Sequence, residues 1–107
     1  MVDYGVDFIY VVKNQLDQSI IVHIDTYQGS QDITIGVSAT KEIFRDSDLC
    51  GKHYIPRKGA IPFDLIYIYH DQNIKIDKDF MDGDYWDYTG IEYEGKYVLT
   101  IDASLLK

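Results

Sequence analysis

Apolar and polar residues alternate along most of the chain, and helical periodicity is almost absent. A period of two marks strands with one buried face. From Val6 to Lys13, the residues Phe8, Tyr10 and Val12 share a face. Asn14-Gln15-Leu16-Asp17-Gln18 reads as a polar turn. Ser19 to Tyr27 then places Ile20, Val22 and Ile24 on one face and Ser19, His23 and Asp25 on the other. That is the pattern of a half-solvated antiparallel strand. Gln28-Gly29-Ser30 is the next turn, and Asp32 to Val37 directs Ile33, Ile35 and Val37 inward. Between Ser38 and Gly51 the alternation fails, so only a short strand near Lys41–Arg45 is predicted. Gly51 to Gly59 reads as a loop around Pro56.

Pro62 to His70 is the most apolar run, and a strand apolar on both faces belongs at the centre of a sheet. Asp71-Gln72-Asn73 is a hairpin signal, with Ile74 to Asp77 as the returning strand. Asp79 to Gly95 reads as a long acidic loop around Trp86. Gly95 opens the last strand, Lys96 to Asp102, with Tyr97, Leu99 and Ile101 inward. Ala103 to Lys107 closes the chain as one helical turn capped by Asp102. The expected fold is a single all-β domain over residues 1–107: an antiparallel β-sandwich of about seven strands, immunoglobulin-like.

Composition sharpens this in three places. The 107 residues suffice for one core and are too few for two. Ten tyrosines stand against four Phe and one Trp, a bias that suits strands and contact surfaces. The net charge of −8 argues against nucleic acid and anionic membrane surfaces as partners, since both need a basic footprint. Cys50 is alone, so no internal disulfide forms. Met1-Val2-Asp3-Tyr4 shows neither the basic nor the apolar region of a signal peptide, and no apolar stretch reaches membrane-spanning length.

Four groups of residues are candidates for chemistry. Asp77, Asp79, Asp82, Asp84 and Asp87 fall within eleven residues, followed by Glu92 and Glu94. A hard cation such as Ca²⁺ wants several carboxylate oxygens on one loop, which makes Asp79, Asp82, Asp84 and Asp87 candidate metal ligands. The spacing is not that of an EF-hand, because Met81 stands where a third ligand belongs; the plain alternative is a solvated acidic loop. Tyr85, Trp86, Tyr88 and Tyr93 form a candidate ligand-binding set, since aromatic faces beside carboxylates hold sugar rings. The alternative is that Trp86 plugs one end of the sandwich.

Cys50 and His53 could be a nucleophile and its base, but Cys50-Gly51-Lys52-His53 carries no protease signature, and the three His are too scattered for zinc. Lys52-His53-Tyr54-Ile55-Pro56-Arg57-Lys58 is the one basic stretch, suited to an anionic partner or to ordinary solvation. No phosphate-binding glycine motif is present, and neither Asn14 nor Asn73 begins a glycosylation sequon.

The lone Trp86, the acidic gap, Tyr97-Val98-Leu99-Thr100-Ile101 and the closing Ser104-Leu105-Leu106 form a familiar series. With the hairpin Leu65 to Ile76 and Val11-Val12-Lys13-Asn14, it resembles small uncharacterised secreted proteins and lipoproteins of Bacteroidetes. The resemblance implies an immunoglobulin-like sandwich, periplasmic, secreted or anchored at the outer membrane, and implies no catalytic residues. The expected function is a non-catalytic binding or structural module, a monomer or weak dimer whose partner is a protein or a glycan. No cofactor is expected unless Ca²⁺ binds. The alternative is a carbohydrate- or calcium-binding accessory domain using residues 77–94.

Overall fold

Among the described residues, eight strands build two four-stranded sheets that share one apolar core. The structure, a computed structural model, describes residues 4–71, 74–76 and 78–106. Sheet A has the order β4-β1-β8-β7, from β4 (Thr40–Cys50), β1 (Tyr4–Asn14), β8 (Glu94–Ile101) and β7 (Trp86–Ile91). Sheet B has the order β3-β2-β5-β6, from β3 (Gly29–Ile35), β2 (Ile20–Thr26), β5 (Asp64–Asp71) and β6 (Ile74–Ile76). All pairings are antiparallel except that of β1 with β8.

The all-β sandwich expected from the alternation is therefore present. The strand order does not follow the immunoglobulin pattern, in which the first, second, fifth and fourth strands share a sheet.

The inward residues are those the alternation selects. Ile20, Val22 and Ile24 of β2 are completely buried, as are Val12, Leu99 and Ile101 on the facing sheet. Tyr10 and Tyr97 stack 4.5 Å apart in the middle of sheet A. β5 lies inside sheet B between β2 and β6, in keeping with its apolar run. Gln72, Asn73 and Asp77 of the expected hairpin lie outside the described residues, but Ile68 pairs with Ile76 across it. The C-terminal turn spans Ala103–Leu106, and Asp102 Oδ1 accepts from the Ser104 N–H at 3.0 Å, as capping requires.

Four expectations need correction. The short strand near Lys41–Arg45 is an eleven-residue strand. Tyr10 pairs with Phe44 and Val11 with Glu42, so Ile43 is a bulge residue. Ile43 and Phe44 thus both turn inward, which breaks the alternation in the sequence. Val37 is 53% exposed because β3 ends at Ile35. The acidic loop is not a loop throughout: Gly83–Tyr85 is a 3-10 turn and Trp86–Ile91 is β7, paired with β8 from Trp86↔Leu99 to Ile91↔Glu94. Asn14, expected in a polar turn, ends β1 fully buried.

Sheet A is longer than sheet B. Its strands β1 and β4 have eleven residues each, against seven in β2 and β3. Tyr27 in the β2–β3 turn meets Phe44, and Phe63 just before β5 meets Tyr10 at 5.3 Å. Sheet B therefore ends level with Tyr10. The six residues of β1 before Tyr10 reach about 20 Å further at strand rise. Residues 51–63 leave β4 at the tip of this overhang and return to β5 along its inner face, as a strap in place of the missing strands.

Candidate functional site

The strap and the β7–β8 hairpin meet through tyrosines. At the tip, Tyr93 Oη accepts from the His53 N–H at 2.8 Å, and the Tyr93 N–H donates to the Tyr54 carbonyl at 2.9 Å. Further in, the Tyr88 hydroxyl donates to the Pro56 carbonyl at 2.5 Å. Tyr97 Oη accepts from the Gly59 N–H at 2.7 Å, and Lys58 Nζ donates to the Trp86 carbonyl at 2.9 Å. Each tyrosine serves twice, its ring packing on the sheet and its hydroxyl reaching the strap backbone. Burial first, then the neighbouring Tyr97 and Tyr54, pushes the Tyr88 phenol above its ordinary range.

Close approach is made possible by glycine. A Cβ on Gly90 would stand 2.6 Å from the Pro56 carbonyl oxygen, and one on Gly95 would stand 2.8 Å from the Tyr88 hydroxyl. Both lie on β7 and β8, where a glycine otherwise weakens a strand. Two of the three non-glycine residues with left-handed backbone among the described residues are here, His53 at φ 60° and Tyr93 at φ 67°. Such a conformation costs a bulky residue on the order of 1 kcal/mol or more and persists only where the surroundings enforce it. For Tyr93 the enforcing contacts are its three backbone and hydroxyl hydrogen bonds to His53, Tyr54 and Asp7, and a stacked ring, Tyr4, at 5.3 Å.

The same end carries apolar surface. Leu49 is 66% exposed, Tyr54 42%, Ile55 57% and Ile91 53%; these are four of the six large apolar side chains exposed among the described residues. Leu49 lies near the end of β4, Tyr54 and Ile55 lie on the strap, and Ile91 ends β7. Lys52 and Arg57 are exposed beside them, and His53 Nδ1 stands 3.2 Å from Glu92 Oε1.

The residues singled out by sequence are dispersed by the fold. Trp86 is the clearest correction. It faces the core at 2% exposure, edge-on to Tyr10 and Phe63, and its indole N–H donates to the Phe80 carbonyl at 2.7 Å. It offers no free ring face to a sugar. Tyr85 packs half-buried against Phe80 at 5.3 Å, away from the tyrosines that hold the strap. Tyr88 and Tyr93 do belong to one site, through Pro56, His53 and Tyr54, but as supports of the strap.

Among the acidic candidates, Asp79 Oδ1 accepts from the Met81 N–H at 3.1 Å. Asp82 Oδ1 accepts from the Asp84 N–H at 3.0 Å, capping the 3-10 turn. Asp87 projects from β7 into solvent. Asp77 lies outside the described residues. Among the described residues no three His, Cys, Asp or Glu side chains come together as metal ligands.

Cys50 is half-buried, and burial followed by Asp48 pushes its thiol up, away from the thiolate a nucleophile needs. His23 contacts Asp32 and lies 3.7 Å from Asp25, on the outer face of β2. A shallow groove of about 430 Å³ opens at the start of β5, beside the exposed ring of Tyr27. Asp25 and Asp64 line it and are register partners, a like-charge pairing that does not favour the sheet.

Sequence reasoning passed over Tyr4, Tyr97, Leu49, Ile55 and Ile91 as parts of one end. Gly90 and Gly95, in a tyrosine-rich hairpin, were the available signal of a close backbone approach. Fold and site together define an all-β sandwich whose one apolar end is assembled from a strap and a hairpin. Comparison of the chain with family models, with curated proteins and with solved structures finds no match.

Proposed function

We propose that the chain is a non-catalytic binding or structural module that engages a protein partner through the strap end. The observation that carries this is that four of the six exposed large apolar side chains among the described residues lie at this end. Tyr54 and Ile55 lie on the strap, and Leu49 and Ile91 on the outer face of sheet A, beside backbone held in left-handed conformations at His53 and Tyr93. Exposed apolar side chains beside specially supported backbone are what interaction sites use. The raised Cys50 thiol favours a module without nucleophilic chemistry. The net charge of −8 favours protein over nucleic acid as the partner.

A photo-crosslinking side chain at Ile55 or Ile91, compared with one at Asp17 in the opposite-end turn, tests the assignment. The expected result is a discrete adduct from the first two positions, lost when Leu49→Asp is added. Equal labelling from Asp17, or none from Ile55 and Ile91, defeats it.

Export to the periplasm or cell surface, implied by the resemblance to secreted Bacteroidetes proteins, is part of the same proposal. Fractionation of the native host tests it separately, and recovery in the cytosolic fraction overturns it.

A further inference from the structure

The strap differs from the rest of the chain in what holds it. Residues 51–55 and 57–60 are exposed, and within residues 51–60 only Pro56 is buried. Its apolar anchors, Ile61 and Phe63, come at its C-terminal end and belong to the core. Between Gly51 and Gly59 the ties are polar: the hydroxyls of Tyr88, Tyr93 and Tyr97, the Tyr93 N–H and the Lys58 ammonium. A segment with little buried apolar surface and glycines at both ends has the features of a unit that opens locally.

We propose that residues 51–59 form a strap that opens as a unit while the sandwich stays folded, with the tyrosine hydroxyls of the β7–β8 hairpin as its latch. Opening pivots at Gly51 and Gly59 and leaves Ile61 and Phe63 seated. It breaks the bonds at His53, Tyr54, Pro56, Lys58 and Gly59. Opening also carries the exposed Tyr54 and Ile55 away from the end of the sandwich, so that end presents them only in the latched state. This explains why Tyr stands at 88 and 93. Phe would pack as well, but it could neither donate to the Pro56 carbonyl nor accept from the His53 N–H.

The latch is tested without knowing any partner. Trypsin can cut after Lys52, Arg57 and Lys58, all within the strap. The doubly substituted Tyr88→Phe, Tyr93→Phe protein keeps both rings and loses both hydroxyl bonds. Strap cleavage, and hydrogen exchange at the His53 and Gly59 amides, should rise about tenfold or more, the scale of one or two lost hydrogen bonds. Exchange in β2 and at the centre of β8 should stay at the wild-type rate. Unchanged strap cleavage overturns the latch. Strap and β8 amides accelerating together overturns independent opening, because strap and sandwich then unfold as one. If the double variant is too unstable to measure, Tyr88→Phe alone should still raise strap cleavage severalfold, and no increase there counts equally against the proposal.

Discussion

The two ends of the sandwich solve the same problem in opposite ways. At the end where β1 stops, Asn14 is completely buried. Its Nδ2 donates to the carbonyls of Gln18 at 2.8 Å, Gly36 at 3.1 Å and Ile35 at 3.2 Å, and its Oδ1 accepts from the Leu16 N–H at 2.9 Å. One buried side chain thereby ties together the β1–β2 turn and the end of β3. At the strap end the half-buried Tyr88 and Tyr93 and the buried Tyr97 share the same task, each with one hydroxyl on the strap backbone. A fully buried polar group must satisfy every hydrogen-bonding position, and the loss of any is severe. Polar ties near solvent can be exchanged for water one at a time. The Asn14 end is therefore built to stay shut, and the strap end to carry apolar surface and to open.

The comparison is broken most severely at Asn14. Asn14→Ala leaves the Leu16 N–H and three carbonyls without their partner, so urea unfolding should show a loss of about 3 kcal/mol. Asn14→Asp should be no better, because a carboxylate would face carbonyl oxygens. A loss below about 1 kcal/mol would mean that this end is no tighter than the other.

Next in size is Gly90→Ala, which drives a Cβ against the Pro56 carbonyl and should cost about 2 kcal/mol by overpacking. Its signature is specific: strap cleavage should rise more steeply than the loss of stability alone predicts.

Raising the pH acts on the tyrosines and leaves the Asn14 amide, which does not titrate, untouched. Burial pushes the Tyr10 phenol up, with the Tyr97 phenol adding to it, and Tyr88 is raised for the same reasons. A raised value means that folding favours the neutral phenol. Its contribution is complete below the unfolded value of about 10 and is lost as pH climbs through the folded values. Unfolding curves between neutral pH and pH 11 should show that loss. Tyr88→Phe, itself costing about 1 kcal/mol at neutral pH, should lessen it. A profile identical in the variant would take Tyr88 out of the account.

The smallest effect is expected on stability and the largest on association. Leu49→Ser and Ile91→Ser should shift stability by no more than about 0.5 kcal/mol, because both side chains already face water. They should nevertheless abolish the crosslinked adduct. Variants that lose stability instead would show those side chains to be packed.

Much of this molecule can be traced to particular residues in the sequence. Ile20, Val22 and Ile24, and then Tyr97, Leu99 and Ile101, announce their buried faces by simple alternation, because each sits in a regular strand with one sheet face against the core. The pattern fails where the backbone departs from regularity. The Ile43 bulge sends two successive residues inward and hides most of β4. β7 was obscured because Gly90 has no side chain to mark an inward position and Ile91 points out to solvent.

The candidate site was less legible. Tyr85, Trp86, Tyr88 and Tyr93 are neighbours in the chain, yet the 3-10 turn at Tyr85, the distance along β7 and the turn at Tyr93 separate them. Trp86 enters the core, Tyr88 and Tyr93 hold the strap, and Tyr85 packs on Phe80.

The sequence alone determined that this is an all-β chain with a core of alternating aliphatic and aromatic residues. Those signals are local, written in the period of a strand and its turns. Only the tertiary structure decided that sheet A outruns sheet B and that residues 51–63 cover the difference. It alone decided that an asparagine closes one end while tyrosines latch the other. These depend on which strands pair and where each one stops, and side chains forty residues apart settle that when they meet across the fold.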